Sequence, residues 1–239
     1  MPELAVASPA VRNRLALALD TDDLVDALRL ARELEPWFGV AKVGLELYSA
    51  TGPEAVSALA ERGWKVFLDL KLHDIPTTVA KAARVLGALG ASFLTLHAQG
   101  GVEMLRAGVE GLNVGAERAG LEAPAAVAVT VLTSDDSAPA HILGKRVALA
   151  VEAGCRGIVC AAGDVREAKL LAPRLVAVVP GIRLVDGDRH DQARAATPEL
   201  AIGEGADLLV VGRAVTGAAD RTAAAAAVAA AVSAAVDED

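Results

Sequence analysis

The stretch KVFLDLKLHDIP, residues 65–76, contains the pattern that decides the fold of this 239-residue chain. It begins as an apolar run typical of a buried strand and ends in Ile75-Pro76, a signal for a helix start because proline is favoured in the first turn. Asp69, Lys71 and Asp74 lie where the strand gives way to its loop. Charged side chains are costly in a core. A fold that gathers strand ends around a functional site would account for them.

Strand-like runs and helix-period stretches alternate along the chain. The predicted strands are Leu15–Leu19, Val40–Val43, Lys65–Leu70, Ser92–Leu96, Ala126–Val131, Gly157–Cys160, Leu175–Val179 and Asp207–Val211. The predicted helices are Asp22–Leu34, Gly52–Glu61, Pro76–Leu89, Val102–Ala119, Ala138–Ala153, Asp164–Leu171, Pro198–Glu204 and a tail helix from Ala218. This alternation without a linker predicts the α/β class and a single-domain (β/α)8 TIM barrel over residues 1–239. An open doubly wound sheet is the alternative, and the lack of GxGxxG after the first strand disfavours it.

The composition excludes several classes of partner. A net charge of −8 with 3% aromatic residues argues against a nucleic-acid surface, which needs basic stripes and stacking rings. The alanine-rich tail is too short to span a membrane, and the N-terminus has no signal-peptide pattern. Cys155 and Cys160 match no zinc or redox spacing and are expected to be small core residues. We therefore expect a cytoplasmic protein that acts on a small molecule.

Charged residues lie at the predicted carboxyl ends of the first three strands, where barrels carry their chemistry. Asp20 ends the first strand, and Lys42 lies in the second. Asp69 and Lys71 are two positions apart and so share one face of the third. Because an interior charge must be paired, we predict a network of alternating charge whose carboxylates keep Lys71 protonated. The same pairing would serve stability alone, so it does not by itself establish catalysis.

Several neighbouring residues have simpler explanations. Asp74 is equally consistent with a helix N-cap, and Thr78 with an ordinary first-turn residue. His73 and His97 are more typical of hydrogen-bonded structural histidines than of catalysts. No cluster has convincing metal spacing, although Asp69 and Asp74 leave a divalent-cation site open.

The last two strands predict an anion site. Gly212 and Arg213 follow strand eight at the start of a short helix, and loops after strands seven and eight commonly bind phosphate in barrels. The segment PGIRLVDGDRHDQAR, residues 180–194, is a long polar loop of the kind that often covers a ligand. Its Arg183 and Gln192 are candidate ligand contacts.

The motifs together resemble the orotidine 5′-phosphate decarboxylase family of the bacterial type. The likeness runs along the chain through ALD ending at Asp20, KVGLEL from Lys42, DLKLHDIPTT from Asp69, HAQGG from His97, VTVLTS ending at Ser134, PGIR ending at Arg183 and VGR ending at Arg213. The DxKxxD element alone is shared with a wider group of phosphosugar barrels, whereas KxHDIPxT is more specific. Two departures are LVDGDRH in the strand-seven loop and Thr77, where asparagine is frequent.

The resemblance implies decarboxylation of orotidine monophosphate to UMP and CO2 in de novo pyrimidine biosynthesis, without metal or organic cofactor. It implies Lys71 as proton donor to C6 and Asp69 beside the departing carboxylate. Lys42 would complete the network and, with Asp20, hold the ribose. Without an electron sink, the protein would have to stabilise the developing charge electrostatically.

The resemblance also implies a homodimer with composite sites. The neighbouring subunit would supply Asp74, Ile75 and Thr78. Thr133 would lie at the pyrimidine, and the phosphate would be held by Arg183, Gln192, Gly212 and Arg213.

Two alternatives to this function stay open. One is a magnesium-dependent phosphosugar decarboxylase or aldolase of the wider group, in which Asp69 would bind the metal. The other is a non-catalytic barrel that binds a phosphate ligand, although the intact Lys71 argues against it.

Overall fold

The strands pair in chain order and close on themselves. In the computed structural model, which describes residues 5–135, 138–139, 141–184 and 194–237, they are β1 Leu15–Leu19, β2 Val40–Val43, β3 Lys65–Leu72, β4 Phe93–His97, β5 Ala125–Val129, β6 Gly157–Val159, β7 Val176–Val179 and β8 Leu208–Val211. Neighbours are parallel throughout, and β8 pairs with β1. This closure confirms the (β/α)8 barrel and excludes the open sheet.

The helices cover the outside of the barrel. They are α1 Pro9–Arg12, α2 Leu24–Leu34, α3 Leu45–Thr51, α4 Glu54–Ala60, α5 Pro76–Gly87, α6 Gly101–Ala119, α7 Ile142–Glu152, α8 Ala162–Leu171, α9 Pro198–Gly203, α10 Arg213–Thr216 and α11 Arg221–Asp237. The sequence did not predict α1 or α3, and it placed a helix start at Gly52. Instead, Gly52 ends α3 with a φ of 64°, which favours glycine, and α4 begins after Pro53.

The core has an outer and an inner part. The outer part lies between the strands and the helices, where the alanine-rich α11 contributes Ala225, Val228 and Val232. The inner part fills the barrel with small and branched side chains and one phenylalanine, namely Ala16, Ala18, Val40, Phe67, Val127, Val129, Val159, Val178, Leu208 and Val210. Among the described residues, no helix has the length and apolar character needed to cross a bilayer.

Alternation along the strands carries this inner layer directly into the charged residues. Two positions beyond Ala18, Val40 and Phe67, the same inward faces present Asp20, Lys42 and Asp69. The side chains inside the barrel are therefore apolar along the strands and charged at their carboxyl ends.

Helices α5 and α6 pack with their backbones in close contact. A Cβ built on Gly111 would collide with the Ala80 carbonyl oxygen, and one on Gly115 with the Arg84 carbonyl oxygen. Glycine at these positions is what allows α6 to seat against α5. The seam fixes α5, whose first turn follows the loop after β3.

Candidate active site

A cavity of about 280 Å³ opens at the carboxyl ends of the strands. It brings together eight of the residues that the sequence singled out: Asp20, Lys42, Asp69, Lys71, Thr133, Arg183, Gly212 and Arg213. The inner apolar residues form its floor. Its volume is close to the lower end of the range for small-molecule sites, about 300–1,000 Å³.

Lys71 and Asp69 form an ion pair on β3. The Lys71 Nζ donates to Asp69 Oδ2 at 2.8 Å, and the Thr95 hydroxyl donates to Asp69 Oδ1 at 3.1 Å. The side chains are 34% exposed for Lys71 and 17% for Asp69. The lysine is therefore the more accessible partner, with its carboxylate held behind it.

The backbone at this pair departs from a regular strand. Lys71 has a φ of 50°, the one positive value among the described non-glycine residues. The β3–β4 register shifts between Leu68 and Leu72. A bulge of this kind redirects side chains at an active site. The sequence pattern did not predict it.

Lys42 and Asp20 form a second ion pair, between β2 and β1. The Lys42 Nζ donates to Asp20 Oδ1 at 2.6 Å. The lysine side chain is 10% exposed, whereas the aspartate is 55% exposed. A Cβ at Gly44 would lie 3.2 Å from the Lys42 Nζ, so glycine leaves room for the pair. The predicted alternation of charge is thus present as two ion pairs at the ends of β1, β2 and β3.

The opposite wall carries two arginines among the residues that the structure describes. Arg183 is buried and donates from Nη1 to the Ile182 carbonyl oxygen at 2.8 Å, whereas Arg213 is exposed. Burial, and then the charge of Arg213, lower the pKa of Arg183. Adjacent like charges of this sign favour an anion between them. Gly212 precedes Arg213 as the N-cap of α10, as the sequence predicted.

Thr133 lies in the loop after β5, where it is buried and lines the cavity. The predicted strand to Val131 is too long, because β5 ends at Val129 and Thr130 turns its hydroxyl to the Val159 carbonyl oxygen at 2.7 Å. Ser134 also lines the cavity. The sequence motif contained this serine but did not single it out.

Three predicted site residues lie apart from the cavity within one chain. Asp74, Ile75 and Thr78 are exposed on the loop after β3 and the first turn of α5, and Ile75 is 66% exposed. The N-cap interpretation of Asp74 is wrong, because Ile75 occupies that position. Asp74 Oδ1 instead accepts from the Ile75 amide at 2.6 Å. Gln192, the remaining predicted residue, lies outside the described residues.

Two histidines border the charged wall. The rings of His73 and His97 stack with centroids 5.3 Å apart, and His97 Nδ1 accepts from the Gln99 amide at 3.3 Å. Burial, followed by the charges of His73, Arg146 and Lys71, lowers the pKa of His97 to about 4. His97 is therefore neutral at pH 7, which suits a structural stack.

The side chains in the described part of the chain do not form a metal site. No three His, Cys, Asp or Glu side chains there come together in a suitable group. The Asp69 oxygens already accept from Lys71 and Thr95. Asp74 is exposed and lies outside the cavity.

Comparisons with known proteins agree with this geometry. A sequence model of the orotidine 5′-phosphate decarboxylase / HUMPS family matches residues 13–228. The orotidine 5′-phosphate decarboxylase of Thermobifida fusca is 46% identical over 224 residues, covering 89% of this chain and 92% of that protein. That of Paramagnetospirillum magneticum is 43% identical over 224 residues, covering 89% and 95%.

Solved structures show the same likeness. The crystal structure of orotidine 5′-phosphate decarboxylase from Lactobacillus acidophilus superposes with a TM-score of 0.77 at 32% identity, covering 91% of this chain and 98% of that one. An uncharacterized conserved protein from Geobacillus kaustophilus also superposes at 0.77, with 35% identity and coverage of 91% and 99%. The chain therefore belongs to the orotidine 5′-phosphate decarboxylase / HUMPS family.

Proposed function

We propose that this protein is an orotidine 5′-phosphate decarboxylase that converts orotidine monophosphate to UMP and CO2 in pyrimidine biosynthesis. The observation that carries the proposal is the cavity itself. On β3, Lys71 is paired with Asp69 and is still accessible. Across the barrel, Arg183 and Arg213 lie beside β7 and β8. An orotidylate molecule has a carboxylate at one end and a phosphate at the other, which matches a site with cations on both walls.

The chemistry proposed for Lys71 follows from its surroundings. Breaking the bond between C6 and the carboxylate leaves an electron pair on C6 as CO2 departs. The Lys71 ammonium stabilises that charge and then donates its proton to C6, which completes UMP. Asp69 accepts from the Lys71 Nζ at 2.8 Å, which orients the ammonium, and it lies beside the departing group.

The remaining cavity residues have binding roles in this proposal. Asp20 is held by Lys42 and half exposed, so its free carboxylate surface accepts from ribose hydroxyls. Thr133 lies at the pyrimidine. Arg183, Gly212 and Arg213 bind the phosphate, and Gln192 stays a prediction of the sequence.

We further propose that the active protein is a homodimer in which each site borrows residues from the partner. The exposed Asp74, Ile75 and Thr78 support this, because a 66% exposed isoleucine in the first turn of a helix is suited to an interface. In this arrangement Asp74 of one protomer completes the charge pattern around Lys71 of the other.

Mixing two inactive variants tests the dimer. Lys71→Ala and Asp74→Ala homodimers, unfolded together and refolded, would form heterodimers that contain one intact site. Random pairing in a two-fold dimer predicts recovery of about one quarter of wild-type activity. A mixture that stays inactive, while wild-type protein survives the same treatment, contradicts shared sites.

The family description covers a second group, and DxKxxD alone does not separate the two. The two named relatives, at 43% and 46% identity, favour the orotidylate reaction over a magnesium-dependent phosphosugar reaction. A non-catalytic barrel is disfavoured because the Lys71 Nζ is held by Asp69 and is accessible from the cavity. The cytoplasmic location and the extent of the domain over residues 1–239 stay predictions.

The deciding experiment is turnover of orotidine monophosphate in EDTA, followed by loss of orotidylate absorbance. We expect wild-type protein to be active and Lys71→Ala to lose at least about 10³-fold in kcat. Lys65→Ala is the matched control, because Lys65 lies at the opposite end of β3 and pairs with Asn13. Absence of wild-type turnover, with magnesium-dependent turnover of a sugar phosphate, would overturn the proposal.

A further inference from the structure

Thr95 occupies an unusual place in the barrel. It lies in the middle of β4, is fully buried and is polar, whereas the inner side chains around it are apolar. The inner filling of a barrel is normally branched and apolar, so a hydroxyl at this depth needs hydrogen-bond partners. Its partners are on β3, at the pair described above.

The β3 bulge creates the need for this hydroxyl. Leu68 pairs with Leu94 and Leu72 with Leu96, so three residues of β3 face the single residue Thr95. A bulge of this kind leaves a backbone amide without its ladder partner, and a buried amide without a partner is costly. The amide concerned is that of Lys71, whose φ is 50°.

The Thr95 hydroxyl replaces the missing ladder partner of the Lys71 amide and also bonds to the Asp69 side chain. Its oxygen accepts from the Lys71 amide at 2.8 Å, and its proton goes to Asp69 Oδ1 at 3.1 Å. A threonine hydroxyl has one proton to donate and lone pairs to accept with, so one atom serves both residues. The third bond of the arrangement is the ion pair between Lys71 and Asp69.

Neighbouring contacts frame this arrangement along the same two strands. Below it, the rings of Phe67 and Phe93 pack edge to face with centroids 5.8 Å apart. Above it, His73 and His97 stack. Thr95 thus lies between two pairs of packed rings, at the same level as the charged residues of β3.

We propose that Thr95 is a positioning residue: its hydroxyl holds the bulged Lys71 backbone and the Asp69 carboxylate together, and so aims the Lys71 ammonium into the cavity. The inference rests on the proposed decarboxylation, for which Lys71 is the proton donor. A reacting group displaced by about 1 Å loses about 10²-fold in rate, so a support that fixes both ends of the pair affects turnover. It acts through Lys71 and does not touch substrate.

Thr95→Val tests the proposal because valine keeps the branched shape of the side chain and replaces the hydroxyl with a methyl group. We expect kcat for orotidylate to fall about 10- to 100-fold with KM changed less than about threefold, because the aim of the lysine is lost and the binding wall is intact. Thr95→Ser restores the hydroxyl, and we expect it to recover most of kcat.

Thr130→Val is the matched control. Thr130 is also fully buried, lies just beyond β5, and donates its hydroxyl to the Val159 carbonyl oxygen, away from the pair. Loss of a buried hydroxyl alone would affect both valine variants. We expect kcat of Thr130→Val to stay within about twofold of wild type, because the aim of Lys71 is untouched.

A second readout is independent of activity. Exchange of the Lys71 amide proton with solvent should accelerate in Thr95→Val and stay slow in Thr95→Ser and Thr130→Val. Unchanged kcat and unchanged exchange in Thr95→Val would overturn the inference, as would a Thr95→Ser variant as slow as the valine variant. If wild-type protein fails to turn over orotidylate, the proposed function fails, while amide exchange still reports whether Thr95 holds the bulge.

Discussion

The two walls of the cavity carry charge in opposite ways. On the side of β1, β2 and β3, each cation has an anion as its neighbour, in the pairs Lys42–Asp20 and Lys71–Asp69. On the side of β7 and β8, burial and then the charge of Arg213 lower the pKa of Arg183. The first wall pairs each lysine with a carboxylate, whereas the second places two guanidinium groups close enough for their charges to interact, an arrangement that favours a bound anion. The contrast separates a wall suited to reaction from a wall suited to binding.

Within the first wall, the two ion pairs differ in which partner is more exposed. Lys42 is 10% exposed and its Asp20 is 55% exposed, whereas Lys71 is 34% exposed and its Asp69 is 17% exposed. One pair therefore presents a carboxylate to the cavity and the other presents an ammonium. The same two residue types therefore offer a hydrogen-bond acceptor in one place and a hydrogen-bond donor in the other.

After the loss of Lys71, the next largest effect should come from removing charge from the second wall. Arg213→Ala is expected to lower kcat/KM about 100-fold, because phosphate binding contributes to the transition state. The midpoint of urea unfolding should change little, because Arg213 is exposed and surface substitutions usually alter stability by less than about 0.5 kcal/mol. Arg62→Ala, on a surface helix end where the guanidinium donates to the Ala58 carbonyl oxygen, is the control. If the kinetics of Arg213→Ala equal those of wild type, Arg213 does not bind the phosphate.

A smaller effect should come from breaking the Lys42–Asp20 pair, and it should be asymmetric. Asp20→Ala leaves a buried ammonium without its partner and is expected to cost about 1–3 kcal/mol of unfolding free energy. Lys42→Met leaves a carboxylate that water already reaches, so it should cost less than about 1 kcal/mol. Asp20→Asn keeps an acceptor and should lie between them. Urea unfolding checks the order, and a costlier Lys42→Met would contradict the burial argument.

The smallest effect concerns His97 at the edge of the first wall. Its folded pKa of about 4 lies below the ordinary value of 6.5, so the unfolded chain binds more protons between these limits. Stability from this group is complete above about pH 6.5 and declines as pH falls to about 4, by at most about 1 kcal/mol for a half-buried ring.

The matched variant for this test is His97→Asn, whose amide oxygen still accepts from Gln99. Urea unfolding at about pH 7 and pH 4.5 should show a shallower pH dependence for the asparagine variant. Parallel curves for the two proteins would mean that neither burial nor the charges of His73, Arg146 and Lys71 disfavour a charged His97.

Much of the barrel and of its cavity followed from the sequence because both depend on local pattern. Period-two alternation carries the inner face from Ala18, Val40 and Phe67 to Asp20, Lys42 and Asp69, so their convergence needs only the strand assignment. The position of Gly212 and Arg213 after β8 was predictable for the same reason.

The rest depends on how neighbouring strands are staggered, which local pattern does not encode. The pairing of four charges into Lys42–Asp20 and Lys71–Asp69 is one of several that the sequence allows. Thr95 looks like any branched residue of a strand until the β3 bulge is placed opposite it. The extra helix α3 was missed because seven residues after a glycine carry too little periodicity.

The division between the walls also has a kinetic consequence. The chain as a whole carries a net charge of −8, so at long range it repels an anion. The described residues that line the cavity nevertheless include four cations and two carboxylates, an excess of positive charge among them. At physiological salt, fields fade over about 8 Å, so a nucleotide meets the repulsion weakly and the attraction only at the mouth. Added salt should therefore slow capture of the substrate, although enzyme and substrate carry charge of the same sign.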